Sequence, residues 1–210
     1  MDALSGGRLE LGLGAGHMRH EHEDAGLPWS PHGARVQQLE SSIVEVRRRL
    51  AQPEHQPRPA QHPIPIAVGA MTGPGLRVAA EHADIVAFAG LLQVRGAPPG
   101  TFTIATAAQT DAAVADVRTH AGDRPYRSDA LLQAVVIGEP PAQAAQRLAE
   151  SFRTLSAELL LDTPFVLLAR DRAHAAEILA QRRERFGFDG FTAHQPALEA
   201  LGELIAAVGR

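Results

Sequence analysis

Residues 8–17, Arg-Leu-Glu-Leu-Gly-Leu-Gly-Ala-Gly-His, confine this chain to few folds, because an alternating apolar run empties straight into a turn built on Gly12, Gly14 and Gly16. The alternation predicts a strand. Glycine has no Cβ, so a turn rich in it can adopt positive φ and bring backbone N–H groups against an anion. After an excursion, residues 34–50 place Val36, Leu39, Ile43, Val46 and Leu50 at steps of three and four, which predicts an amphipathic helix. Strand, glycine turn and helix form a β-turn-α unit, and in α/β folds the turns at the carboxyl ends of strands are where ligands collect.

The same rhythm continues along the chain. Residues 52–63 carry four prolines, which remove backbone donors and predict an extended surface connection. Ile64–Val68 then reads as a buried strand running into a second glycine turn, Gly69–Gly75, followed by a helix over 76–82 and a third strand over 83–88. A helix is predicted over 111–118, capped by Thr110 or Asp111, and a fourth strand over 130–137. Helices over 140–160 and 171–186, a fifth strand over 188–192 and a last helix over 197–208 complete the reading. About five parallel strands with flanking helices are therefore expected, within a single domain spanning 1–210.

Composition narrows the function. The chain has 20 Lys plus Arg against 24 Asp plus Glu, a net charge of −4 that offers no broad basic field for nucleic acid or anionic lipid. Lysine is absent, so every one of those cations is an arginine. With no cysteine, disulfides, thiolate metal sites and cysteine nucleophiles are excluded, and a reducing, cytoplasmic setting is expected. The longest apolar run, Ile85–Leu92, falls far short of the ~20 residues a membrane-spanning helix needs, so no membrane partner is expected.

Leu4-Ser5-Gly6-Gly7-Arg8, the Gly12–Gly16 turn, Glu21, Gly26-Leu27-Pro28 and Arg35 with Leu39 together resemble the middle of the luciferase-like monooxygenase family. Ile64–Ala70, Ala79–Val86 and Arg182–Phe191 resemble its later strands and last helix, so that nearly the whole chain aligns with the family's C-terminal two-thirds. The resemblance implies a partial (β/α)8 TIM barrel lacking the first three strands, which in the family carry most groups beside the reactive ring. It also implies an oxidoreductase using coenzyme F420 or, alternatively, reduced FMN, acting on a small-molecule substrate. Cofactor-phosphate binding is carried over onto Gly14, Ala15, Gly16 and His17 and onto Gly69, Ala70, Met71 and Thr72; no catalytic residue is assigned. Open strand edges in such a piece are expected to drive homo-oligomerisation, and a non-catalytic fragment acting as a structural or interaction subunit is the competing reading.

Three other sequence features admit a second reading. His17, His20 and His22 with Glu21 and Glu23 are metal-ligating types, but His20 and His22 are two apart and would diverge on a helix, so no metal is assigned. A dinucleotide fingerprint needs glycine at position 17, where His17 stands. Arg182, Arg183 and Arg185 read as the solvated face of a helix.

Overall fold

The structure, a computed structural model, describes residues 1–152 and 154–208. The chain divides into two compact units, Met1–Ala87 with Asp116–Tyr126, and Phe88–Ala115 with Arg127–Arg210. In chain order the elements of the first part are α1 (Asp2–Ser5), β1 (Leu11–Leu13), α2 (Arg19–Asp24), α3 (His32–Leu50), β2 (Ile66–Ala70), α4 (Gly73–His82) and β3 (Ile85–Phe88). The rest are β4 (Leu91–Gln93), β5 (Phe102–Ile104), α5 (Ala107–Ala121), β6 (Arg127–Leu132), β7 (Ala134–Ile137), α6 (Pro141–Ser151), α7 (Ala157–Asp162), β8 (Val166–Ala169), α8 (Arg172–Phe186), β9 (Gly190–Ala193) and α9 (Leu198–Val208).

The parallel sheet has five strands, β1, β2 and β3 followed in order by β6 and β9, and each overlaps one of the five strands that the sequence predicts. In the first unit β1 pairs parallel to β2, with Leu11, Gly12 and Leu13 opposite Ile66, Ala67 and Val68. Ile66, Val68 and Val86 are fully buried, as are Ile43 from α3 and Leu76, Ala79 and Ala80 from α4, so two helices cover the strands with their apolar stripes. The proline-rich stretch is tied down by Asp2, whose carboxylate accepts from the backbone amides of Ala60 at 2.6 Å and Gln61 at 3.0 Å. Those amides favour the charged form, and Gln61 most of all holds the Asp2 carboxyl below its ordinary pKa.

In the second unit β6 pairs parallel to β9. Its core holds Phe88, Phe165 and Phe188, with Phe188 within 5.3 Å of Phe186 and 5.6 Å of Phe88, centroid to centroid. Gly90 has φ +72°, and a Cβ there would stand 2.2 Å from the Phe165 ring, so only glycine lets the chain pass over this cluster.

The structure departs from the sequence pattern at several elements. The strand over 130–137 is two strands, because Gln133 leaves the sheet: its amide donates to Phe165 O and its side chain to Ala89 O, and β7 pairs instead with β8. β8 itself, buried at every position, is not among the strands that the sequence predicts. The helix over 140–160 breaks into α6 and α7, with the Ser156 hydroxyl accepting from the Leu159 amide to start the second. Finally, α5 begins at Ala107, so Thr110 lies buried inside it, donating to Thr106 O at 2.8 Å, while Asp162 accepts from the Ala107 amide. A β4–β5 antiparallel hairpin and the short helix α2 are further elements that the sequence pattern does not predict.

Candidate functional site

Parallel pairing decides where the glycine turns go. Because Leu13 lies opposite Val68, the chain leaves β1 into Gly14–His17 and leaves β2 into the Met71–Thr72 turn at the same end of two neighbouring strands, about 4.8 Å apart. The structure thus brings both predicted segments to one edge of the first unit. Gly14, Gly16, His17, Gly69 and Thr72 are exposed, Ala15 and Ala70 half-buried, and Met71 buried. An added Cβ at Gly14 or Gly69 would meet nothing within 4 Å, so open space lies beside both.

The second turn feeds directly into α4. Thr72 is its N-cap, in extended conformation and with a hydroxyl that makes no cap hydrogen bond, and Pro74 occupies the first turn, where its missing N–H costs nothing. The unsatisfied amides and the positive end of the helix dipole therefore face the same edge as the glycine turns. At the other end of α4, Arg124 donates to Ala80 O at 3.0 Å and to Ala83 O at 2.6 Å, taking up the trailing carbonyls. Burial lowers the pKa of that guanidinium.

The first turn is held by residues to which the sequence assigned no role. Arg35, at the start of α3, donates through Nε to Ala15 O at 3.2 Å and Gly16 O at 3.4 Å, and through Nη1 to Ser30 O. Its guanidinium lies 3.8 Å from the centroid of the Trp29 ring. Burial lowers its pKa as well. His22 meets Trp29 edge-on at 5.0 Å and faces Gly16, whose φ is +72° and whose Cβ, if present, would lie 2.6 Å from His22 Cε1. Arg35 was visible in the sequence as part of the family wording and Trp29 as the one tryptophan; their convergence on the turn needed the fold.

Of the metal-ligating residue types at positions 17–23, His22 packs on Trp29 and Glu23 pairs with Arg19 at 2.7 Å. Among the described residues, the imidazole and carboxylates that come within 4.8 Å of one another are those of Glu40, Glu81 and His82, on α3 and α4. Arg77 already pairs with Glu81 there. In the second unit a cavity of about 350 Å³ is bounded by Leu160, Asp162, Val166, His174, Arg182 and Phe186. Arg182 departs from its expected solvated position: its Nη2 donates to Val166 O at 2.6 Å, its Nη1 is buried without a partner, and burial depresses its pKa to about 10.

A sequence model of the luciferase-like monooxygenases matches residues 1–210. The chain belongs to this family. Solved structures agree in fold. A long-chain alkane monooxygenase superposes with a TM-score of 0.56 at 13% identity, over 85% of this chain and 56% of its own. An F420-dependent secondary alcohol dehydrogenase, solved with an F420-acetone adduct, gives 0.65 at 13% identity, over 89% and 64%. A riboflavin lyase with modified FMN and riboflavin gives 0.58 at 12%, over 92% and 62%. The chain thus spans less than two-thirds of the length of each of these relatives. No curated protein matches it. Among the described residues, no helix is long and apolar enough to cross a membrane.

Proposed function

We propose that this chain is an oxidoreductase of the luciferase-like type that binds coenzyme F420, with reduced FMN as the alternative, and acts on a small organic substrate. The observation that carries the reading is the meeting of two glycine turns and the N-terminus of α4 at the carboxyl ends of adjacent parallel strands. The open space beside Gly14 and Gly69 suits a bulky anionic ligand, because the backbone is unshielded there.

The residues proposed to hold the cofactor are Gly14, Ala15, Gly16 and His17 on one side and Gly69, Ala70, Met71 and Thr72 on the other. The amides of the first turn and of α4, with the Thr72 hydroxyl, bind the phosphate as donors. Met71, in the second turn, is buried. The bound ring would supply the hydride or oxygen chemistry. The preference for F420 rests on the resemblance of the chain as a whole to the F420-dependent members of the family.

In the strand order β1 and β9 stand at the two ends of the sheet, and a second copy of the chain pairing along such an edge is the partner we propose. The absence of cysteine fits a reducing cytoplasm as its setting. The test is a titration of the purified chain with F420 and with FMN, followed by absorbance and equilibrium dialysis. Saturable binding of F420 that outcompetes FMN is expected, and binding of neither overturns the reading. In that event, a dimer of defined mass would favour the interaction-subunit alternative.

A further inference from the structure

Arg35 donates to two carbonyl oxygens of the first glycine turn, and this fixes where the amides of those peptides point. In a trans peptide the C=O and the following N–H project in opposite directions across the same plane. The Ala15 and Gly16 carbonyls both reach the Arg35 Nε, so the Gly16 and His17 amides are both turned away from the guanidinium. Two successive amides facing one way form the concavity that receives an anion, and the left-handed φ of +72° at Gly16 is the conformation that generates it. Three acceptors at differing directions, Ala15 O, Gly16 O and Ser30 O, together with the flat face of Trp29, are matched by a planar fork and not by an ammonium.

We propose that Arg35 is the positioning residue of this turn: by gripping the carbonyls of Ala15 and Gly16 from behind, it presents the amides of Gly16 and His17 to a phosphate group. The assignment rests on the reading of the turn as ligand-facing. It predicts a selective defect, since Arg35 acts on the phosphate end of a cofactor and not on its ring.

Arg35→Lys and Arg35→Gln are compared with the unaltered chain in two titrations. In the first, FMN and riboflavin, which share a ring but differ by the phosphate, are the ligands; FMN affinity is expected to fall about tenfold in both variants while riboflavin affinity changes less than about twofold. Unchanged FMN affinity, or equal losses for both ligands, overturns the proposal. In the second, inorganic phosphate is added to ¹⁵N-labelled protein. The Gly16 and His17 amide signals are expected to shift in the unaltered chain and to stay still in the variants. No shift in the unaltered chain, or the same shift in Arg35→Gln, overturns it. If neither flavin binds the unaltered chain, the cofactor reading fails and the phosphate titration alone decides the role of Arg35. Should Arg35→Gln lose its fold by circular dichroism, Arg35→Lys carries both comparisons.

Discussion

Asp84 takes a hydrogen bond from the Arg47 guanidinium at 2.7 Å, and the same carboxylate oxygen accepts from the backbone amide of Ile66 at 2.8 Å. One oxygen thereby joins α3 to the first residue of β2, the strand that delivers the second glycine turn. Asp84→Ala strands both donors and is expected to lower unfolding stability by about 1–3 kcal/mol, with Asp84→Asn losing less because its amide oxygen still accepts. Urea unfolding of the two variants checks this, and an Asp84→Ala midpoint equal to that of the unaltered chain would show the clasp to be idle.

Gly14 and Gly16 are expected to respond differently to alanine. Gly16→Ala forces a left-handed side-chain-bearing residue and displaces His22, so a loss of about 1–2 kcal/mol is expected from the backbone alone. At Gly14 the backbone is ordinary and the space empty, so Gly14→Ala should leave thermal stability within about 0.5 kcal/mol. If the turn is the cofactor's seat, the Gly14 variant nevertheless weakens FMN and F420 binding, since its methyl fills the cradle. A thermal melt beside a cofactor titration separates the two effects.

Acid should act through Glu45. Its carboxylate receives Arg48 at 2.7 and 2.8 Å and Arg49, and those hydrogen bonds lower its pKa from 4.5 to about 2. A folded pKa below the unfolded one means a contribution fully present above about 4.5 and lost progressively as pH falls toward about 2. The stability difference between the unaltered chain and Glu45→Gln, followed by denaturant unfolding across that range, should close on the acid side. A difference that stays constant across it would refute the assignment.

Phe188 is fully buried and lies within 5.9 Å of Phe191 as well as beside Phe88 and Phe186. Phe188→Ala is expected to cost about 3–5 kcal/mol, because the rings of Phe88, Phe186, Phe191 and Phe165, the last at 6.2 Å, lose a common neighbour and cannot all collapse into the space. Phe188→Leu should recover much of that loss in the same unfolding assay.

The glycine turns were legible in the sequence because a period-two run before each and a helical period after each leave little choice of fold. β8 was not, since Val166–Ala169 is a short, wholly apolar run that a strand and a buried helix share. Arg182 misled for a different reason: charge suggested solvent, yet Ala175, Ile178, Arg182 and Phe186 recur at helical spacing, and Ala175 and Phe186 are buried. That periodicity was available and outweighs the charge. The contact of Arg35 with the first turn lay beyond any local pattern, because its partners Ala15 and Gly16 stand some twenty positions away and the excursion through α2 lies between them.

Trp29 is the one indole in the chain, and it sits under Arg35 and against His22. Every photon of tryptophan emission therefore originates beside the first glycine turn. The protein carries a built-in optical gauge at a single spot, so occupancy of that turn or loss of the guanidinium can each be followed by fluorescence without attaching a label.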